Sequence, residues 1–153
     1  MTSTEIALLL NDDSEKITRI GEIIGKKIPE RDNFENLNEF EKTFIYIDIL
    51  EQNVTEGGFI QFFFSSSGQF THEIFQAYLA IKAEKTVDIL TKAIFLFPEI
   101  PVPKNIKIRQ GILMQKESNI DLWDDLDLQF EKYEDDIVQL TIDYVRENIS
   151  YFD

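Results

Sequence analysis

Few side chains in this sequence stand at the spacing that catalysis or metal binding requires. His72 and Glu73 begin like the zinc-binding helix pattern His-Glu-x-x-His, but Gln76 stands where the second histidine is needed. The chain has one histidine and no cysteine, which excludes a metal centre rich in either residue. We therefore predict that His72 lies at the surface or beside a helix cap, and that the protein holds no metal and no cofactor.

Acidic and hydroxyl side chains offer two further possibilities for chemistry. The serine run Ser65–Ser67 has no second histidine to activate it and no glycines of a nucleophile elbow, so we predict a helix end there. Glu51 and Glu56 could do acid–base work if a pocket raised the pKa of one of them. With Gln61 and His72 they would form an enzyme or small-ligand site. Such pairs arise by chance in a chain with 29 acidic residues, so this site is the lesser alternative and we predict that the protein is not an enzyme.

The charge of the chain is strongly negative and unevenly distributed. It carries 29 acidic and 15 basic residues, a net charge of −14, which argues against direct binding to nucleic acid or to an anionic membrane. Residues 1–67 have a net charge of −7, residues 68–116 of +3 and residues 117–153 of −10. The densest stretch is the acidic segment from Glu117 to Asp136, which holds nine acids and one lysine. Solubility of a small domain requires a net charge of only about 2–8, so the surplus indicates that acidity has a use.

Length and composition predict one domain with one hydrophobic core. The chain has 153 residues, of which 43% are hydrophobic, and we expect residues 1–153 to fold as a unit. No stretch combines a basic flank with a long apolar run, as a signal peptide or a membrane span would. A soluble, cytoplasmic protein is therefore expected.

Apolar spacing predicts an all-α fold, a compact multi-helix bundle of about seven or eight helices. Apolar residues recur at three- and four-residue steps from Asp13 to Ile28 and from Asn38 to Val54. The run 44–50 is also β-branched and resembles a strand, but the helical stripe continues in phase beyond it. Gly57-Gly58 are expected to end this helix. Shorter helices are predicted at 59–66, 71–81, 84–97, 105–116, 123–130 and after an N-cap at Asp135 or Asp136.

The most distinctive stretch runs from the two glycines to Gly68. The glycines allow a tight turn and close backbone approach, and the aromatic residues after them supply large apolar surfaces. We predict that Gln61 hydrogen-bonds the free backbone groups of this turn. The motif is therefore predicted to be structural, and its residues are Gly57, Gly58, Phe59, Gln61, Phe62, Phe63 and Gly68.

This motif, written EGGFIQFF and then SSG, precedes a proline-rich turn, the run WDDLDLQF and a closing YVREN helix. In this order the chain resembles, over roughly residues 37–152, a bacterial family of all-helical domains whose member with an assigned role is a DNA-mimic protein. It departs from the family pattern at Glu56 and Ser65, where asparagine is usual. The resemblance implies a dimeric, acidic mimic of duplex DNA. Its implied partner is a basic DNA-binding protein, a helix-turn-helix transcription regulator.

A DNA mimic needs carboxylates at repeating distances on a rigid support, because lysine and arginine contacts to phosphates supply much of the affinity of DNA-binding proteins. Acids three or four residues apart on a helix lie about 5–6 Å apart at Cβ. Trp123, Leu126 and Phe130 are expected to anchor the acidic segment to the core. The predicted partner-binding residues are Asp121, Asp124, Asp125, Asp127, Glu131, Glu134, Asp135 and Asp136. A second set that could extend this surface is Asp12, Asp13, Glu15, Glu35, Glu39 and Glu41.

Two alternatives concern the rest of the surface. The chain could instead be an interaction or immunity-type module that contacts its partner through Gly57–Gly68, with acidity serving only solubility. The basic middle of the chain is expected to face away from the acidic surface, or else to pair with the acids of a second copy in a homodimer. Its residues are Lys82, Lys85, Lys92, Lys104, Lys107 and Arg109.

Overall fold

The computed structural model describes residues 1–115 and 121–153, and these residues form an all-α fold, which confirms the predicted class. No strand occurs among them. The predicted helix end at Lys116 and the acid Glu117 lie outside the described residues. The eight α-helices of the described part are α1 (Ser3–Ala7), α2 (Asp13–Gly25), α3 (Glu39–Phe64), α4 (Thr71–Ala80), α5 (Glu84–Leu96), α6 (Ile106–Gln115), α7 (Asp124–Glu131) and α8 (Ile137–Glu147). Short 3-10 helices follow α3 at Ser66–Phe70 and α8 at Ile149–Tyr151.

The long helix α3 runs through the middle of the fold. Asn38 caps it by accepting hydrogen bonds from the backbone N–H groups of Phe40 and Glu41, both at 2.9 Å. Glu41 in turn accepts from the Asn38 N–H at 3.1 Å, which completes a capping box. The β-branched run 44–50 is helical, because its apolar stripe stays in phase with buried residues on both sides.

Gly57 and Gly58 bend α3 instead of ending it. Gly58 has φ 76° and ψ −174°, a conformation that residues with a side chain rarely adopt. Because only these two residues leave helical geometry, the helix resumes at once and ends at Phe64. The separate helix expected at 59–66 is thus the second half of α3.

Two apolar clusters share α3. The larger one surrounds its second half, where Phe63 lies 5.2 Å from Trp123 and Phe59 lies 5.8 Å from Phe130, measured between ring centroids. The indole N–H of Trp123 donates to the carbonyl of Ala93 at 2.9 Å, so this buried ring leaves no polar atom unpaired. The smaller cluster joins α1, α2, the start of α3 and α8.

Helix α1 has no counterpart among the sequence predictions. It is five residues long, too short for an apolar stripe to be visible. The carboxylate of Asp153 accepts hydrogen bonds from the backbone N–H groups of Ser3 and Thr4 at its first turn, at 2.8 and 3.1 Å. The last residue of the chain thus holds its first helix, a contact that local sequence does not reveal.

None of the helices in the described ranges combines the length and the apolar character that crossing a membrane requires.

Candidate protein-binding surface

Helix α7 carries the centre of the acidic segment and is firmly attached to the core. Trp123, Leu126 and Phe130 are 0, 5 and 3% exposed, as their spacing predicts. Asp124 and Glu131 of the same helix are exposed to solvent. The helix therefore presents carboxylates outward from a fixed support.

The exposed acids of this segment are not neutralised by ion pairs within the described residues. The six ion pairs found in residues 1–115 and 121–153 all lie elsewhere. Asp125 is bound by the side-chain amide of Gln129 at 2.7 Å, which leaves its charge in place. The exposed acids are Asp121, Asp124, Asp125, Glu131, Glu134 and Asp136.

Asp127 has a structural contact and faces inward, unlike its neighbours. Its Oδ1 accepts a hydrogen bond from the backbone N–H of Phe59 at 2.8 Å, at the bend of α3. A side chain at Gly58 would place Cβ 2.3 Å from Oδ2 of Asp127, so the glycine makes room for this carboxylate. Partial burial raises the pKa of Asp127, and the hydrogen bond from Phe59 opposes that effect.

Asp135 and Asp136 cap two different helices. Asp135 accepts from the N–H and the hydroxyl of Thr86 at 2.8 and 3.1 Å, so it satisfies the first turn of α5. Ala83, at the N-cap position of that helix, has no side chain that could do so. Asp136 caps α8 by accepting from the N–H of Gln139 at 3.1 Å. The alternatives left open for the cap of the last helix are resolved in favour of Asp136.

A cleft of about 510 Å³ lies between α5 and the acidic segment. It is lined by acids from both sides and by two lysines, Lys85 and Lys132. The expectation that the basic middle of the chain faces away from the acidic surface is therefore wrong for Lys85. Lys92 forms an ion pair with Asp88 at 3.2 Å, and Lys104 forms one with Glu73 at 2.6 Å.

Arg109 is also misplaced by the sequence prediction, because it is fully buried. Its guanidinium donates to the carbonyls of Phe63 at 2.6 Å, Pro103 at 2.9 Å and Lys104 at 3.0 Å, and also to that of Ser65. Two of these carbonyls lie at the C-terminal end of α3. The last carbonyls of a helix have no partner within the helix, and the negative end of the helix dipole lies there. Burial lowers the pKa of Arg109.

The second set of acids is only partly available at the surface. Glu41 is 2% exposed and pairs with Lys27 at 2.5 Å, so the expectation that it extends an acidic surface is wrong. Asp13 pairs with Lys16, and Glu39 with Lys42. Asp12 caps α2, while Glu15 and Glu35 are exposed.

The glycine–aromatic motif is mostly packed inside the molecule. Phe59, Phe62 and Phe63 are each at most 2% exposed. Gln61 donates to Glu56 at 3.1 Å, and not to the turn, whose Phe59 N–H is bound by Asp127 instead. A side chain at Gly57 would place Cβ 2.1 Å from Oε1 of Gln61. These contacts leave few motif side chains free for an interaction module.

The four residues of the alternative enzyme site do not meet in one place, although Gln61 and Glu56 contact each other. Nε2 of His72 accepts from the backbone N–H of Val102 at 3.0 Å, so the histidine holds the proline-rich loop. Glu51 accepts from the phenol of Tyr78 at 2.7 Å. The cavity that Glu51 lines and the one that His72 lines share no residue. Across the described ranges, no three acids or histidines converge as metal ligands.

Glu51 has an unusual environment, which the sequence predictions missed. Burial raises its pKa to about 7, and hydrogen bonds from the phenols of Tyr78 and Tyr133 oppose the effect. Tyr133, at φ 47°, follows α7 and reaches back to α3. The one sequence signal is the position of Asp48 and Glu51 three residues apart on an apolar helix.

These observations define an acidic, all-helical protein whose helix α7 carries exposed carboxylates that form no ion pair within the described residues. A family model described as DMP19-like protein matches residues 35–148, so the chain belongs to the DMP19-like protein family. This family is of the DNA-mimic type. No curated protein matches the chain, and no solved structure does.

Proposed function

We propose that the chain is a non-enzymatic interaction protein that occupies the DNA-binding surface of a helix-turn-helix transcription regulator. The observation that carries this proposal is the outward face of α7. Its anchors are buried, and its exposed carboxylates make no ion pair within the described residues. Family membership supports the same type of function.

The physical basis is competition for cationic side chains. A DNA-binding surface places lysines and arginines where phosphates lie, and it gains affinity by neutralising them. Carboxylates on a fixed helix offer the same charge without the flexibility that a loop would have to lose on binding. Three further acids stabilise the helices that carry this surface. Asp127 binds the bend of α3, Asp135 binds the first turn of α5, and Asp136 caps α8.

The surface can be tested without disturbing the fold. We choose Asp124, Glu131 and Glu134, which are exposed, and replace them together by Asn, Gln and Gln. The matched control replaces Glu30, Glu99 and Glu147 by Gln, which removes the same charge from exposed positions on other elements. Asp127 is left intact, because its loss would disturb the bend of α3.

The partner is first captured from native lysate on the immobilised wild-type chain at low salt, then eluted by a salt gradient and identified by mass. Its binding to its own DNA fragment is then measured by mobility shift, with each variant as competitor. We expect the wild type and the control to displace the DNA. The surface variant should compete about tenfold less well, since each exposed pair contributes about 0.2–1 kcal/mol. If the control loses as much as the surface variant, or if neither loses potency, the proposed surface is wrong.

A homodimer, which the family resemblance implies, stays a prediction. Sedimentation equilibrium of the wild type over a range of concentrations measures it directly. A mass of 17.9 kDa at all concentrations would contradict it.

A further inference from the structure

A small groove lies between α2, α3 and α8, outside the acidic face of α7. Its volume is about 130 Å³, the space of roughly four liquid waters. Ile17, Ile47, Ile137 and Val138 supply apolar walls, and Asp48 and Glu51 are the acids in its lining. The groove is thus mostly apolar but carries two carboxylates from one helix.

The two carboxylates have neutral partners. Glu51 accepts from the phenol of Tyr78, and Asp48 accepts from the side-chain amide of Gln52 at 3.0 Å. Neither forms an ion pair with any cation in residues 1–115 or 121–153. Burial raises the pKa of both, and the hydrogen bonds from these neutral partners offset that effect only in part. The missing complement is a positive charge.

The groove also adjoins the surface proposed for the partner. Ile137 and Val138 follow Asp136 directly in the chain, so the groove lies beside the C-terminal end of the acidic segment. A protein that contacts the exposed Asp136 would therefore lie next to this groove.

We propose that this groove is a subsite for one lysine side chain of the partner protein. Its four methylenes would lie against Ile17, Ile47 and Val138, and its ammonium would lie between the carboxylates of Asp48 and Glu51. Lysine fits better than arginine, because the ammonium is compact and the guanidinium is a wide planar group. The identity of the partner rests on the proposed function, whereas the chemistry of the subsite does not.

The experiment uses small probes, so it needs no regulator. N-acetyl-lysine methylamide is titrated into the full chain and followed by methyl NMR of Ile17, Ile47 and Val138. The norleucine analogue supplies the stem without the charge, and methylammonium supplies the charge without the stem, all at equal ionic strength. We expect saturable shifts with the lysine probe and a dissociation constant of about 1–10 mM. Each partial probe should bind at least about tenfold more weakly, since it makes only part of the contacts.

Three variants locate the site. Asp48→Asn with Glu51→Gln keeps the shape and hydrogen-bond acceptors but removes both charges, and should weaken the lysine probe about tenfold or more. Val138→Trp keeps both charges and fills the groove, so it should abolish the shifts. Glu30→Gln with Glu99→Gln, at exposed positions outside the acidic segment, is the matched control and should bind the probe like the wild type.

Equal binding of the norleucine analogue or of methylammonium, or binding by the Val138→Trp variant, would overturn the subsite. If the probe fails while the surface variant still loses its potency against the regulator, only the subsite is wrong. If the probe binds while the surface variant competes like the wild type, the proposed function is wrong and the subsite stands as a cation site of the chain.

Discussion

Burial opposes the ionisation of Glu51 in the folded chain. The folded state holds its pKa at about 7, whereas the ordinary value is 4.5. Between these values the folded chain binds more protons than the unfolded chain, so the contribution of Glu51 to stability falls as pH rises. Below pH 4.5 this effect is absent, and above pH 7 it is complete.

We predict that Glu51→Gln stabilises the protein at alkaline pH. The amide still accepts from the phenol of Tyr78 but carries no charge to bury. The gain over the wild type should be near zero at pH 4.5 and rise to about 3 kcal/mol at pH 8, since one pKa unit corresponds to about 1.4 kcal/mol. Urea unfolding at several pH values measures it. Glu56→Gln, at an exposed position, should keep the pH slope of the wild type, and an identical slope for Glu51→Gln would refute the argument.

Asp125 and Asp127 show that neighbouring acids of one helix can have opposite uses. We predict that Asp127→Ala lowers the free energy of unfolding by about 1–3 kcal/mol, because the N–H of Phe59 then lacks a partner at a half-buried bend. Asp125→Ala removes the same charge from the exposed side and should change it by less than about 0.5 kcal/mol. Equal effects in thermal unfolding would show that Asp127 has no structural role.

At the level of elements, the junction between α3 and α6 depends on a glycine. A side chain at Gly68 would place Cβ 2.5 Å from Nε of Arg109, which is buried and holds the carbonyls that end α3. We predict that Gly68→Ala destabilises the fold by about 2 kcal/mol or more, because overpacking displaces the guanidinium from its acceptors. Gly111 in α6 has open space around its Cβ position, so Gly111→Ala should stabilise by about 0.5–1 kcal/mol. Urea denaturation of both variants compares them, and similar effects would contradict the role of Gly68.

The sequence predicts a helix well where its apolar stripe is long, as in α3. It predicts poorly the contacts between residues that lie far apart in the chain. The break at Gly57-Gly58 is visible in the sequence, but the bend of α3 depends on Asp127, which lies 68 residues away. Asp135 looks like a cap of the next helix, yet it binds Thr86 in α5. The sequence predicts Arg109 to be a surface cation. Its partners are backbone carbonyls, which every residue has, so the sequence contains no acidic side chain that would indicate a buried arginine.

At the level of the whole molecule, the two apolar clusters share one helix. Ile49 of α3 packs against both clusters. We therefore predict one cooperative unfolding transition for the full chain, with equal calorimetric and van't Hoff enthalpies. Ile20→Ala, at a fully buried position of the smaller cluster, should lower the midpoint of that single transition. A second calorimetric transition in either protein would show that residues 1–153 are not one folding unit.

The net charge of −14 also has a cost within the molecule itself, because crowded like charges repel one another in the compact state. We predict that raising NaCl from 0.05 to 0.5 M increases the melting temperature, since the Debye length falls from roughly 14 to 4 Å. The triple variant of Asp124, Glu131 and Glu134 should gain more stability at low salt than the control triple of Glu30, Glu99 and Glu147, because its carboxylates lie in the densest acidic stretch. Melting curves at both salt concentrations measure this difference. Equal gains would mean that the acids of α7 are no more crowded than the rest, and the concentrated negative surface that the proposed function requires would then be missing.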